Sequence, residues 1–95
     1  MSLFKSRIDR KFKRIGFNKT EENEYGVSYE RKHKNPNYTQ KLDLVVKSNG
    51  RHLIQSYDPF LTDDKKIGNT CVGLTMYEAK LCIEKMKKMG WKIIK

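Results

Sequence analysis

The sequence predicts an α+β domain of two layers, an antiparallel meander of three to four strands with an N-terminal and a C-terminal helix on one face. Three observations carry this. Apolar residues recur at helical spacing near both ends of the chain, strand-like alternation begins at Tyr25, and Asn49-Gly50 sits between two runs of strand-forming residues.

The first helix is expected over about residues 2–15. Ser2 is placed to cap it, and Phe4, Ile8, Phe12 and Ile15 follow at spacings of four and three, which makes one buried stripe. Gly16 ends it, since glycine takes the left-handed conformation without penalty, and Phe17 can fold back on Phe12 in a Schellman cap. The opposite face carries Lys5, Arg7, Arg10, Lys11 and Arg14. Seven Lys or Arg stand against one Asp in the first twenty residues.

Phe17 to Thr20 suits a short edge strand, and Glu21-Glu22-Asn23-Glu24 reads as a turn. From Tyr25 to His33, Tyr25, Val27 and Tyr29 alternate with Gly26, Ser28 and Glu30, the pattern of a sheet with one buried face. Asn35-Pro36-Asn37 then turns the chain. Strands over about 38–48 and 51–57 form a hairpin if Asn49-Gly50 is a two-residue type I′ loop. That loop sets Val46 against Leu53, Leu44 against Gln55 and Leu42 against Tyr57 on the buried face. Lys47 with His52, Val45 with Ile54, and Asp43 with Ser56 then lie outside. Placing His33 opposite Tyr38 brings Tyr29, Val27 and Tyr25 onto Leu42, Leu44 and Val46.

Residues 58–74 read as a long loop, with Phe60, Leu61, Ile67 and Val72 available to pin it. Thr75 and Glu78 make a capping box that opens a helix over about 75–89, with Ala79, Cys82, Ile83, Met86 and Met89 on one stripe. Gly90 and Trp91 repeat the ending of the first helix. Lys85, Lys87 and Lys88 make its last turn basic, which also suits the helix dipole.

Size and composition narrow the function. Ninety-five residues make one domain, and 37% hydrophobic against 34% charged residues suits a globular chain. The net charge of +10 favours an anionic partner, nucleic acid above all, although charge of this kind also keeps small proteins soluble. No apolar run is long enough for a secretory leader or a membrane span, so a reduced, cytoplasmic setting is expected for Cys71 and Cys82.

No enzyme is expected, and no metal or other cofactor. His33 and His52 have no nucleophile arrangement beside them, and with Cys71 and Cys82 they lack zinc-ligand spacing. Glu30-Arg31-Lys32 resembles half of a common nuclease motif but lacks its upstream acid, and Asp63-Asp64 reads as a solvated loop. Two binding surfaces remain. Arg7, Arg10, Lys11, Arg14, Lys85 and Lys88 are candidates for sequence-independent phosphate contacts from the helix faces. Val45, Ile54 and His52 on the outer sheet face, or a free sheet edge, are candidates for contact with a host protein.

Two resemblances bear on these readings. The helix, three strands, helix order is that of double-stranded RNA-binding domains, and Thr75-Met76-Tyr77-Glu78-Ala79-Lys80 resembles the start of their second helix. Met76 and Tyr77 stand where that family carries its lysine pair, so only Lys80 could inherit a binding role. A looser pattern covers most of the chain: the basic helix with Gly16-Phe17, Tyr25-Gly26-Val27-Ser28-Tyr29-Glu30-Arg31, His52-Leu53-Ile54-Gln55-Ser56-Tyr57-Asp58, and Gly73-Leu74-Thr75 before a Glu-Ala-Lys helix. It resembles small proteins of bacteriophages, prophages and mobile elements in AT-rich Gram-positive bacteria. That family implies a setting and brings no established activity.

Overall fold

Ser6 stands in extended backbone and its hydroxyl accepts from the Asp9 N–H at 3.1 Å, which starts helix α1, Arg7–Arg14. The computed structural model describes residues 6–35, 37–61 and 71–91, so Ser2 and Phe4 lie outside the described residues. The cap of the described helix is Ser6, and that helix is shorter than expected. Its C-terminal end matches the sequence grammar. Gly16, at φ +95°, donates to the Lys13 carbonyl and Phe17 donates to that of Phe12, the two bonds of a Schellman motif. The Phe17 ring meets Phe12 edge-on, with centroids 6.1 Å apart.

The sheet has four antiparallel strands in sequence order: β1 Asn18–Asn23, β2 Gly26–His33, β3 Tyr38–Val46 and β4 His52–Tyr57. Glu21, Glu22 and Asn23 of the run expected to turn instead form the second half of β1, and the turn is only Glu24 and Tyr25. Pairing with β2 outweighs the weak strand preference of Glu and Asn on this exposed edge. Tyr25 is therefore exposed in the turn and does not join the buried face. Between β2 and β3 the register is as expected, with His33 opposite Tyr38, Tyr29 opposite Leu42 and Val27 opposite Leu44.

The β3–β4 hairpin is displaced by one residue. Lys47 donates to the Arg51 carbonyl at 2.7 Å and Gly50 to the Lys47 carbonyl at 2.9 Å, closing a loop of three residues, Ser48 to Gly50. Only Gly50 of the pair is left-handed, at φ +84°, whereas a type I′ loop requires positive φ at Asn49 too. The Asn49 side chain accepts from the Arg51 N–H instead. Val46 thus faces His52, Val45 faces Leu53, Leu44 faces Ile54 and Leu42 faces Ser56. Because side chains alternate, this single step exchanges the two faces of β4. His52, Ile54 and Ser56 share the side of Leu42 and Leu44, while Leu53, Gln55 and Tyr57 share the outer side with Val45, Asp43 and Lys41. Two hydrogen bonds favour this register: Gln40 Nε2 reaches Ser56 Oγ at 2.7 Å, and Tyr57 donates to Asp43 at 2.7 Å.

After β4, Asp58 is buried and accepts from the Phe60 N–H, starting a short 3-10 turn, Pro59–Leu61. Phe60 is 79% exposed and pins nothing, contrary to expectation. Val72 ties the returning chain to β4 through a bond to the Ser56 carbonyl. Ile67 and the Leu61 side chain lie outside the described residues.

Helix α2, Met76–Lys88, opens on the expected capping box between Thr75 and Glu78, and Gly90 and Trp91 close it with Schellman bonds to Lys87 and Met86. Both helices pack on one sheet face around Ile8, Phe12, Phe17, Val27, Tyr29, Leu42, Leu44, Leu81 and Cys82, and Phe12 stacks on Tyr29 at 4.2 Å. The roll of α2 differs from expectation. It buries Glu78, Leu81, Cys82 and Lys85, while Ile83, expected in the apolar stripe, is 43% exposed. At about 100° per residue, the buried side lies roughly a quarter turn from the stripe of Ala79, Cys82, Ile83, Met86 and Met89.

Gly26 is required by close approach. A Cβ there would overlap the Leu44 carbonyl oxygen and press on Val45 Cα at 3.3 Å, whereas one on Gly73 meets nothing within 4 Å. Gly26→Ala is expected to destabilise the fold by about 2 kcal/mol, and Gly73→Ala to stabilise it by about 0.5 kcal/mol through the unfolded chain. Urea midpoints of the two variants against the parent check both signs.

Candidate nucleic-acid interface

Not every cation of the basic helices faces solvent. Lys85 is 4% exposed and sits among three elements. Its ammonium lies 3.2 Å from Asp9 Oδ1 on α1 and 3.0 Å from Glu22 Oε1 on β1. Lys19 bridges the same two carboxylates at 2.9 and 3.0 Å, and Tyr29 on β2 donates to Asp9 Oδ1 at 2.7 Å. Lys19 and Glu22 are three residues apart and would point to opposite faces of a regular strand. A bulge between Lys19 and Glu21 resets the alternation, so that both turn toward the helices.

The charges in this cluster settle one another. Burial acts to raise the Asp9 carboxyl, but hydrogen bonds from Tyr29 and Lys19 and the charge of Lys85 outweigh it and hold it below its ordinary value. Glu22 is lowered in the same way, with burial opposed by Lys19 and Lys85. Lys19 is raised, because its bonds to Asp9 and Glu22 exceed the cost of desolvation. Tyr29 is pushed far up by burial and by its bond to Asp9, so it stays a phenol and a donor. Both Asp9 oxygens, Glu22 Oε1 and the two ammoniums serve other members of the cluster. Lys85 is therefore a structural cation, which corrects its place among the candidate phosphate contacts.

A second inward network forms at the other end of α2. Arg31 Nη1 lies 2.8 Å from Glu78 Oε2 and donates to the Ile15 carbonyl, Nη2 donates to Gln40 Oε1 at 3.0 Å, and the guanidinium covers the Phe17 ring at 4.1 Å. His33 Nε2 also reaches Gln40 Oε1, at 2.7 Å. With the Gln40 amide nitrogen committed to Ser56, that oxygen only accepts, so the His33 proton is on Nε2. Glu78 is held below its ordinary value: burial opposes ionisation, and the Thr75 N–H and Arg31 overcome it. Arg31 and His33 are thus positioned as structural links.

The outward cations are of another kind. Arg7, Arg10, Lys13 and Arg14 are exposed along α1 and have no ion partner among the described residues. Arg7, Arg10 and Arg14 follow one another at i, i+3 and i+7 on one side of the helix. Lys13, absent from the residues expected, extends that surface. Lys11 is half-buried and lies 3.6 Å from Glu84 on α2, so it is partly engaged. Lys88, with Lys87, is exposed at the end of α2.

The second expected surface is divided. Val45 remains on the outer sheet face, where half-buried Leu53 stands opposite. His52 and Ile54 are on the helix side, and the His52 ring stacks on Trp91 at 4.7 Å. The three residues do not form one patch, and the hairpin register is the reason. Among the described residues no three His, Cys, Asp or Glu side chains converge to hold a metal ion. Cys82 is in the core, where burial and the nearby Glu78 push its thiol up to about 12. No described helix is long and apolar enough to cross a membrane. No family model, curated protein or solved structure matches the chain.

Lys85→Met strands part of the charge of Asp9 and Glu22 and is expected to cost about 3 kcal/mol in urea unfolding. Nucleic-acid affinity of the folded variant should stay unchanged, since Lys85 faces no partner. Acid should also unfold the protein. Asp9, Glu22 and Glu78 all have lowered folded values, so their stabilisation is present above the ordinary 3.8 and 4.5 and is lost as pH falls through the lowered values. The melting temperature should therefore decline below about pH 4.5, and more gently in Asp9→Asn, which starts lower. A melting temperature that stays level down to about pH 3 contradicts this linkage.

Proposed function

We propose that this chain is a non-enzymatic accessory protein that binds nucleic acid through the outward face of α1, contacting phosphates without reading bases. The observation that supports the reading is the division of cations: those facing inward are paired, and Arg7, Arg10, Lys13 and Arg14 are exposed with no ion partner among the described residues. Arg7 and Arg14 are seven residues apart, roughly 10 Å along the helix, enough to span about three phosphates of one strand. Arginine presents a planar fork suited to phosphate oxygens. Lys88 and Lys87 would extend the contact from the end of α2, and Lys11 would join after leaving Glu84. Such a role fits a cytoplasmic protein of a phage or mobile element and requires no cofactor.

The reading of a host-protein contact on the outer sheet face has less support, because Val45 has lost Ile54 and His52 as neighbours. Binding to mixed-sequence duplex DNA and RNA, followed by anisotropy across a salt series, tests the proposal. Four to five phosphate contacts give a slope of log K against log salt of about −4, and Arg10→Ala with Arg14→Ala should bring it to about −2. No binding at low salt sinks the proposal. A slope untouched by the double substitution moves the contact off α1.

A further inference from the structure

The roll of α2 leaves an unusual surface. Met76 is 91% exposed and Ile83 43%, and between and beyond them stand exposed Lys80 and Lys87. These four residues are i, i+4, i+7 and i+11, so they lie along one outward line of the helix. Half-buried Ala79 and Met86 run beside it. Of the expected apolar stripe, Cys82 stays in the core and Ala79, Met86 and Met89 are half-buried, while Ile83 is carried outward and charged Glu78 and Lys85 are buried. Ion pairs hold that roll near both ends, Glu78 to Arg31 at 2.8 Å and Lys85 to Asp9 and Glu22. No described residue offers Lys80 or Lys87 a carboxylate.

We propose that this line of α2 docks an amphipathic helix of a partner protein, one whose apolar stripe is flanked by Asp or Glu. Met76 and Ile83 fill the partner's apolar seam, and Lys80 and Lys87 meet its carboxylates. Charge selects the occupant. A second copy would bring Lys80 and Lys87 near its own lysines, within a chain of net charge +10. Phosphates would satisfy the lysines but leave Met76 and Ile83 in water. One helix face is smaller than the roughly 800 Å² per side of a stable complex, so the affinity is expected in the micromolar range. The site shares Lys87 with the proposed phosphate contact but uses none of the α1 arginines and does not rest on nucleic-acid binding.

The test is an anisotropy titration of the full chain against a labelled designed helix of about 18 residues, leucines at helical spacing with glutamates on either side. Its scrambled isomer and its lysine counterpart are run alongside. Micromolar binding of the acidic amphipathic helix alone is expected. Ile83→Asp, and Lys80→Glu with Lys87→Glu, should each weaken it at least about tenfold, and Arg10→Ala with Arg14→Ala should leave it unchanged. Because Lys80 and Lys87 are exposed, their double variant keeps the test valid if Ile83→Asp fails to fold. Absence of binding, equal binding of the scrambled isomer, or indifference to the α2 substitutions overturns the proposal. So does a dimer in sedimentation that Ile83→Asp abolishes, or adsorption to phosphatidylserine vesicles that the same substitution abolishes, since each assigns the line to another occupant.

Discussion

The Lys85 ammonium between Asp9 and Glu22 constrains more of the molecule than any apolar contact. It joins α2 to α1 and to the edge strand β1, while Tyr29 attaches the same carboxylate to the middle of the sheet. Once Lys85 is inward, the roll of α2 follows. Glu78, seven residues earlier and two turns along the same side, must also face inward, where Arg31 meets it. Leu81 and Cys82 fall between them and enter the core, and Ile83 is carried out.

That choice opposes the simplest hydrophobic accounting. Keeping Ile83 partly in water gives up on the order of 1 kcal/mol, and taking charges from water carries a penalty that ion pairing often only balances. The return is specificity. An apolar interface between α2 and the sheet could slide or roll with little change in energy, whereas Lys85 has two carboxylates waiting in one place. Tyr29 adds direction, since a phenol held protonated can only donate to Asp9. The bulge in β1 belongs to the same device, for without it Glu22 would face the other side of the sheet.

The sequence showed much of this fold because its local signals are chemically unambiguous. Thr75 with Glu78, Gly16 with Phe17, and Gly90 with Trp91 can each satisfy helix-end groups in essentially one way. The β2–β3 register followed from matching two alternating patterns. The next hairpin could not be decided this way, because Asn49-Gly50 suits a type I′ pair and also a three-residue loop with glycine last. The two differ by one residue, and Val45, Leu53 and Ile54 are apolar enough to stand on either face. Ser6-x-x-Asp9 is a cap signal available in the sequence, overshadowed by the earlier Ser2. Lys85 was illegible for another reason: its partners are 63 and 76 residues away, and one faces it only through a bulge that no local pattern announces.

The site was legible to the extent that charge is local. Arg7, Arg10 and Arg14 alternate with Ile8 and Phe12, so their exposure follows from the burial of their neighbours. Where a cation's surroundings are set by distant chain, composition misleads: Lys85 and Lys19 enter the net charge of +10 on equal terms with Arg10, yet their charge is already neutralised by Asp9 and Glu22. Those two acids are subtracted in the formal count as well, so the cluster leaves the total unchanged, burying Asp9 and Lys85 while Lys19 and Glu22 stay exposed but paired. What remains outside is therefore more unevenly distributed than a count suggests. A field arising from four unpaired cations within two turns of α1 acts at closer range on a phosphate chain than the same charge spread over the sheet, because screening at physiological salt attenuates it beyond about 8 Å. These ion pairs thus do more than fix α2: by engaging Asp9 and Glu22, they leave the arginines of α1 without local competitors.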